Sequence, residues 1–373
     1  MDSRYHCRAR KRRYYGRVAR AAILGLILTP PLSYAAASTE TQWALQYLKA
    51  NEAWKITRGA NVKVAVVDTG VWSNANVQNL LNGADFSDAS GTNVGNGLVD
   101  SDAVGHGTGE AVLIAGTSSA GGDHTVGLAP EAPIVPVRAS DGTHAGWPYG
   151  AAPAIEYAIS HNCRVINLAF TLNLDTSEVH RAIQDAVEHD VVVVAAVGND
   201  GTSQQYYPAA WPGVVGVGAI DSSGKVWARS NTGADVDLVA PGVHILRDDN
   251  RGRVGYSDGT SEATAYVSAA AALVRSAHPG WSAAEVVAAL VGTADKPPEM
   301  RGAVRDDRYG AGILDVLAAV SLTRPPGVVG EGARQLGGVH GGRDVRWWVV
   351  GAVGLVTGAG VVVFGVVRRR SAG

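Results

Sequence analysis

Short runs rich in Val, Ile, Leu and Ala alternate along this chain with segments whose apolar positions recur every three or four residues. Val62–Val67, Ile134–Val137, Val165–Leu168, Val191–Ala196 and Val214–Ile220 are runs of the first kind. Apolar residues at both odd and even positions predict strands buried on both faces, as in a parallel sheet. Between them the spacing predicts helices over His106–Gly116, Ala152–Ile159, Ser177–Glu188 and Ala263–Val274. Ser282-Ala-Ala-Glu285 is a capping box, which opens a further helix to Leu290. Strands alternating with helices imply an α/β fold: a three-layer sandwich around a mostly parallel central sheet. Its functional site is expected at the carboxyl edge of the strands.

The two ends of the chain depart from this alternation. A basic stretch ends at Arg20, the apolar run Ala21–Leu28 follows, and Ala35-Ala36-Ala37 offers small residues for cleavage. This order predicts an export signal at 1–37, and Arg12-Arg13 leaves Sec and Tat export both open. Near the other end, Trp347–Val367 is 21 residues without a charge, entered through Trp347-Trp348 and closed by Arg368-Arg369-Arg370. About twenty apolar residues cross a bilayer's hydrocarbon core. Trp belongs at the interface and Arg clusters stay cytoplasmic. The expected organisation is therefore a signal peptide at 1–37, an N-terminal extension at 38–60 and one domain at 61–322. A Pro/Gly linker at 323–346, a transmembrane helix at 347–367 and a cytoplasmic tail at 368–373 complete it. The main domain would face outward from a cell membrane crossed once.

Charge and cysteine content narrow the class. Eight of the 32 Lys and Arg, but only one of the 34 Asp and Glu, lie in the first 37 residues, so the remainder carries 24 basic and 33 acidic side chains. No basic patch of a nucleic-acid binder survives the removal of the signal. Cys7 leaves with the signal and Cys163 stays alone, so a sizeable core must stabilise the exported domain. Cys163, beside Val165–Leu168, reads as a small buried hydrophobe.

Three distant segments carry chemistry: Val64–Gly70 with Asp68, Gly105-His106-Gly107-Thr108, and Gly259-Thr260-Ser261. Amide hydrolysis by a serine needs a nucleophile, a base that takes its proton and a carboxylate that orients the base. Asp68 ends an apolar run, where it can accept the Nδ1–H of an imidazole. His106 starts a helix, and Gly107 leaves room for the chain to pass close by. Ser261 sits at a helix N-terminus, which favours developing negative charge. Val191–Val197 ends in Gly198-Asn199-Asp200. The Asn199 amide, with the Ser261 N–H, could hold an oxyanion.

Val-Ala-Val-Val-Asp-Thr-Gly-Val, Gly-His-Gly-Thr, Val-Val-Ala-Ala-Val-Gly-Asn-Asp-Gly, Val-Ala-Pro-Gly at 239–242 and Gly-Thr-Ser resemble the motifs of subtilisin-like serine peptidases. The order Asp, His, Ser, separated by 38 and 155 residues, is the subtilisin order. Within that group the chain looks like the mycosins, membrane-anchored subtilases associated with type VII secretion in actinobacteria. The shared features are a signal, a short stretch before the Asp motif and a C-terminal anchor. The resemblance implies a serine endopeptidase with Asp68, His106 and Ser261 as catalytic residues and Asn199 in the oxyanion hole. Peptide or protein substrates would lie along Ala169, Phe170 and Thr171, with Asp200 at the mouth of the primary pocket.

Several residues depart from the family pattern. Ala265 stands where a proline is usual, and Glu262 and Glu110 stand where apolar residues are usual. Two carboxylates near one site can couple, raising the pKa of at least one. Thr171 and Leu172 replace glycines and should narrow the primary pocket, which predicts a selective peptidase. The departures also admit another reading, a proteolytically silent scaffold that stabilises a membrane secretion complex. No cofactor is expected. Subtilases often hold structural calcium, and the resemblance leaves that open, although the acidic loop from Asp85 to Asp102 lacks the EF-hand spacing.

Overall fold

The structure, a computed structural model, describes residues 42–88, 90–117, 124–142 and 147–325. The expected signal peptide at 1–37, the transmembrane helix at 347–367, the tail at 368–373 and all but the start of the linker lie outside these residues. Among the described residues no helix is long and apolar enough to cross a membrane.

The elements follow the expected alternation. Helices α1 (Trp43–Tyr47) and α2 (Ala50–Ala53) precede strand β1 (Val64–Asp68) and the two-residue β2 (Ala84–Asp85). Then come α3 (His106–Ala115), β3 (Ile134–Arg138), α4 (Trp147–Ser160), β4 (Val165–Leu168), α5 (Ser177–Glu188), β5 (Val192–Ala196), β6 (Val214–Ile220) and β7 (Leu238–Pro241). A hairpin of β8 (Ile245–Asp248) and β9 (Val254–Ser257) leads into α6 (Thr260–Ala277), α7 (Ala283–Gly292) and α8 (Val316–Val320).

Seven strands form one sheet in the order β2-β3-β1-β4-β5-β6-β7, and every pairing in it is parallel. The chain starts near the middle at β1, builds outward to β2 and β3, then crosses back to lay down β4 to β7 on the other side. The reversal lies between β1 and β4, where a crevice opens beyond the carboxyl ends of the strands. Asp68 ends β1 and Ala169 follows β4, so the topology alone brings these two to the crevice.

Alternation along the strands divides the interior. Val64, Val66, Val192 and Val194 face a core shared with α3 and α6, while Ala65, Val67, Ile166 and Val193 face one shared with α4 and α5. Helix α6 is buried from Thr260 to Arg275, apolar or small on nearly every side, as a helix enclosed in a large core must be. Cys163 is buried, and burial pushes its thiol up to about 12, so it stays an uncharged core residue as expected.

The capping box at α7 forms as the sequence predicts: Ser282 Oγ accepts from the Glu285 N–H, and Glu285 Oε2 accepts from the Ser282 N–H at 2.7 Å. Ser282→Ala should therefore lower the unfolding free energy by about 1 kcal/mol, read from urea denaturation of the purified protein.

Candidate active site

The site is built outward from Asp68. Its side chain is fully buried at the end of β1, where Oδ1 accepts from the Thr69 N–H at 2.7 Å and contacts His106 Nδ1 at 2.8 Å. His106 opens α3, and its own N–H donates to Asp102 Oδ2 at 3.1 Å. The approach is close because residue 107 is glycine: a Cβ there would lie 2.2 Å from the Gly70 carbonyl oxygen. Asp100 clamps the two segments together. It accepts from Thr69 Oγ1 at 2.9 Å and from the N–H and Oγ1 of Thr108 at 2.9 and 2.6 Å. Burial opposes charge on the imidazole, but the adjoining Asp68 carboxylate, with Glu110 and Glu262 beyond it, outweighs burial and raises the His106 pKa.

Ser261 is the second residue of α6. Its Oγ donates to the Ala169 carbonyl at 3.0 Å and makes no hydrogen bond to His106, although both line the same cavity. Asn199 is oriented by its neighbour in the Gly-Thr-Ser segment. Its Oδ1 accepts from both the N–H and the Oγ1 of Thr260, each at 2.9 Å. That commitment turns the Nδ2 donors toward the cavity that Ser261 also faces.

The cavity has a volume of about 690 Å³, and all the substrate-side residues expected from the sequence line it: Ala169, Phe170, Thr171 and Asp200. Two features narrow it. Leu172 exchanges backbone hydrogen bonds with Tyr207, so the chain's own backbone uses that end of the edge. The Tyr206 ring lies against Gly198, whose hypothetical Cβ would sit 2.7 Å from Tyr206 Cδ2. A hydrogen bond to Asp200 raises the Tyr206 pKa and anchors the hydroxyl end of the ring.

Behind His106 and Ser261 lies a buried charged cluster. Glu110 is one helical turn beyond His106, fully buried, and neither of its oxygens has a hydrogen-bond partner. Burial, with Glu262 and Asp68 acting the same way against His106 and Arg247, pushes its pKa up to about 8. Glu262 faces Arg247 Nε at 3.5 Å, and Arg247 Nη1 donates to the Gly105 carbonyl at 3.0 Å. The expected coupling between two carboxylates thus exists, and a buried arginine accompanies it.

Comparison with known proteins matches residues 59–312 to the subtilase family, peptidase family S8. The chain belongs to the subtilase family. It is 37% identical over 267 residues to subtilisin E of Bacillus subtilis, an alignment covering 70% of this chain and 66% of that protein. The chain therefore spans slightly less than two thirds of the length of subtilisin E and of subtilisin NAT. Among solved structures, MycP1 with its N-terminal propeptide removed is 30% identical at a TM-score of 0.66, covering 76% of this chain and 99% of that one. MycP3 protease from the type VII (ESX-3) secretion system is 31% identical at a TM-score of 0.65, covering 78% and 90%. MycP1 from Mycobacterium smegmatis is 28% identical at 0.67, covering 79% and 87%.

Four residues that shape this subtilase's site were not anticipated from its sequence: Asp100, Tyr206, Asn231 and Arg247. Asn231 Oδ1 accepts from the N–H groups of Asp200 and Thr202, which fixes the loop carrying Asn199. The acidic loop's carboxylates are engaged within the protein. Asp85 pairs with Arg138 at 2.8 Å, Asp100 is held by threonines, and no group of three or more candidate ligands gathers among the described residues.

Gly109 makes room for Arg247, since a Cβ at 109 would fall 1.9 Å from Nη1. In an ordinary helix Gly→Ala stabilises by about 0.5–1 kcal/mol. Here Gly109→Ala should instead destabilise by about 3–5 kcal/mol, because displacing the guanidinium leaves Glu262 buried without its counter-charge. Thermal denaturation gives the sign directly.

Proposed function

We propose that this subtilase is a serine endopeptidase in which Asp68, His106 and Ser261 form the catalytic triad. The observation that carries the reading is the 2.8 Å contact between the buried Asp68 carboxylate and His106 Nδ1, at a cavity also lined by Ser261 and Asn199. Asp68 holds the Nδ1–H tautomer, leaving Nε2 as the base. Rotation of Ser261 about χ1 releases the Ala169 carbonyl and brings Oγ to that base. Oγ then attacks the substrate carbonyl while His106 takes its proton, and the imidazolium is stabilised by Asp68. Asn199 Nδ2 and the Ser261 N–H hold the oxyanion. His106 returns the proton to the leaving amine, and water deacylates the enzyme. The freed Ala169 carbonyl can accept a hydrogen bond from the substrate backbone.

The enzyme acts selectively, at the outer face of a membrane, in protein secretion. The narrowed cavity supports the selectivity. The expected signal and anchor support the location, and the likeness to proteases of type VII secretion supports the role. The Ser261 hydroxyl turned toward Ala169 favours a second reading, a scaffold whose peptidase activity is dispensable. Secretion restored in cells by Ser261→Ala would decide for the scaffold.

Ser261→Ala should abolish peptide hydrolysis and labelling by a fluorophosphonate probe. Asn199→Ala should lower kcat by about 10²–10³, the range known for loss of one oxyanion donor, with KM little changed. A folded wild-type protein that never takes up the probe would exclude the peptidase.

We infer that Tyr206, lying across Gly198, limits the size of the side chain accepted before the scissile bond. Profiling with a peptide library should show Ala, Ser or Gly preferred there by the wild type. Tyr206→Gly should shift the preference toward large apolar residues; an unchanged profile would remove Tyr206 as the determinant.

A further inference from the structure

The charged cluster behind the site has no part in the mechanism above, yet it touches the helices that carry both His106 and Ser261. Glu110 is placed at i+4 from His106 on α3, the spacing at which helical side chains meet. It is fully buried with both oxygens unpartnered. An ionisable carboxyl in such a place is costly unless its charge is answered nearby.

The groups around Glu110 are few. His106 on its own helix, Glu262 on α6, Asp68 on β1 and Arg247 on β8 act on it electrostatically. The Tyr266 hydroxyl on α6 also lies within electrostatic reach, and burial raises its pKa, so it stays neutral. The remaining charges on neighbouring elements are committed elsewhere: Asp100 to Thr69 and Thr108, Arg138 to Asp85, Asp248 to His124 and Thr125, and Arg275 to Asp190. Within the cluster only Arg247 and a protonated His106 are cationic, and Arg247 already faces Glu262.

We propose that Glu110 is a positioning residue for His106, a second buried anion that keeps the imidazole charged to higher pH and so sets where the base becomes active. Arg247 makes this possible, since its guanidinium, seated over Gly109, offsets part of the cost of a carboxylate in the core. As pH rises, Glu110 loses its proton first, drawn out by the imidazolium. His106 then holds its own proton longer, facing two carboxylates instead of one. The general base works only when neutral, so the acid limb of activity lies higher than Asp68 alone would place it. The inference rests on the peptidase reading above.

The sign separates this role from a purely structural one. Glu110→Gln keeps the shape and removes the charge, so His106 should become neutral at lower pH. An anion one turn away shifts a pKa by about one unit. The purified full-length chain in detergent, labelled with a fluorescent fluorophosphonate across the pH range, should show the acid limb of Ser261 labelling about one pH unit lower in Glu110→Gln. Just below the limb, where Glu110 is already ionised in the wild type, the variant should label about tenfold faster, and the difference should disappear at pH values low enough to protonate Glu110. Glu110→Met, which fills the same space without polar atoms, should show the same displacement and serves if the amide variant fails to fold. Labelling that is slower at every pH, or a limb that stays in place in both variants, overturns the inference and leaves the peptidase reading intact. A wild type that never labels overturns both.

Discussion

The enclosure of α6 is the constraint from which the rest of the structure follows. A helix buried from Thr260 to Arg275 cannot slide or rotate without opening cavities on every side. Its first turn is thereby fixed at the crevice where the strand order reverses. The free N–H groups and partial positive charge of that turn then face the cavity. Thr260 uses the same fixed position to orient Asn199, and Gly198 donates to Thr260 Oγ1 at 3.3 Å. The end of β5 and the start of α6 therefore form one rigid wall.

Against that wall the other half of the site is held by polar contacts rather than apolar packing. Asp100 joins the end of β1 to the first turn of α3, and Gly107 lets the two backbones touch. A hydrophobic contact would tolerate sliding here, but a carboxylate with four donors does not. Phe170, Thr171 and the Tyr206–Asp200 contact line the cavity between these two rigid halves.

What could be read from the sequence is what depends on local pattern. Strands β4 and β6 and helix α5 have the bounds that their apolar spacing predicts, and the capping box needs only residues 282–285. Helix α6 runs further at both ends than its apolar stretch, because tertiary enclosure recruits Thr260, Ser261 and Glu262 into it. Strand β7 ends in a proline and β8 carries Arg and Asp, so neither shows the continuous run that marks a buried strand. The residues placing the chemistry were legible because motif and order name them. Arg247 was not, since its reason for being buried lies 138 residues away at Gly109 and 15 residues away at Glu262. Tyr206 gave no signal either, because an aromatic in a loop reads as surface until the glycine beneath it is known.

Gly109, Arg247 and Glu262 also depend on one another for stability. A buried charge that loses its partner costs about 3–5 kcal/mol, a large share of a domain's stability. Exchanging Gly109 for a larger residue, or Arg247 or Glu262 for an apolar one, therefore passes through a weakened protein, whereas exchanging the three as a block need not. Grafting this protein's cleft onto a relative therefore means carrying Gly109, Arg247 and Glu262 across together.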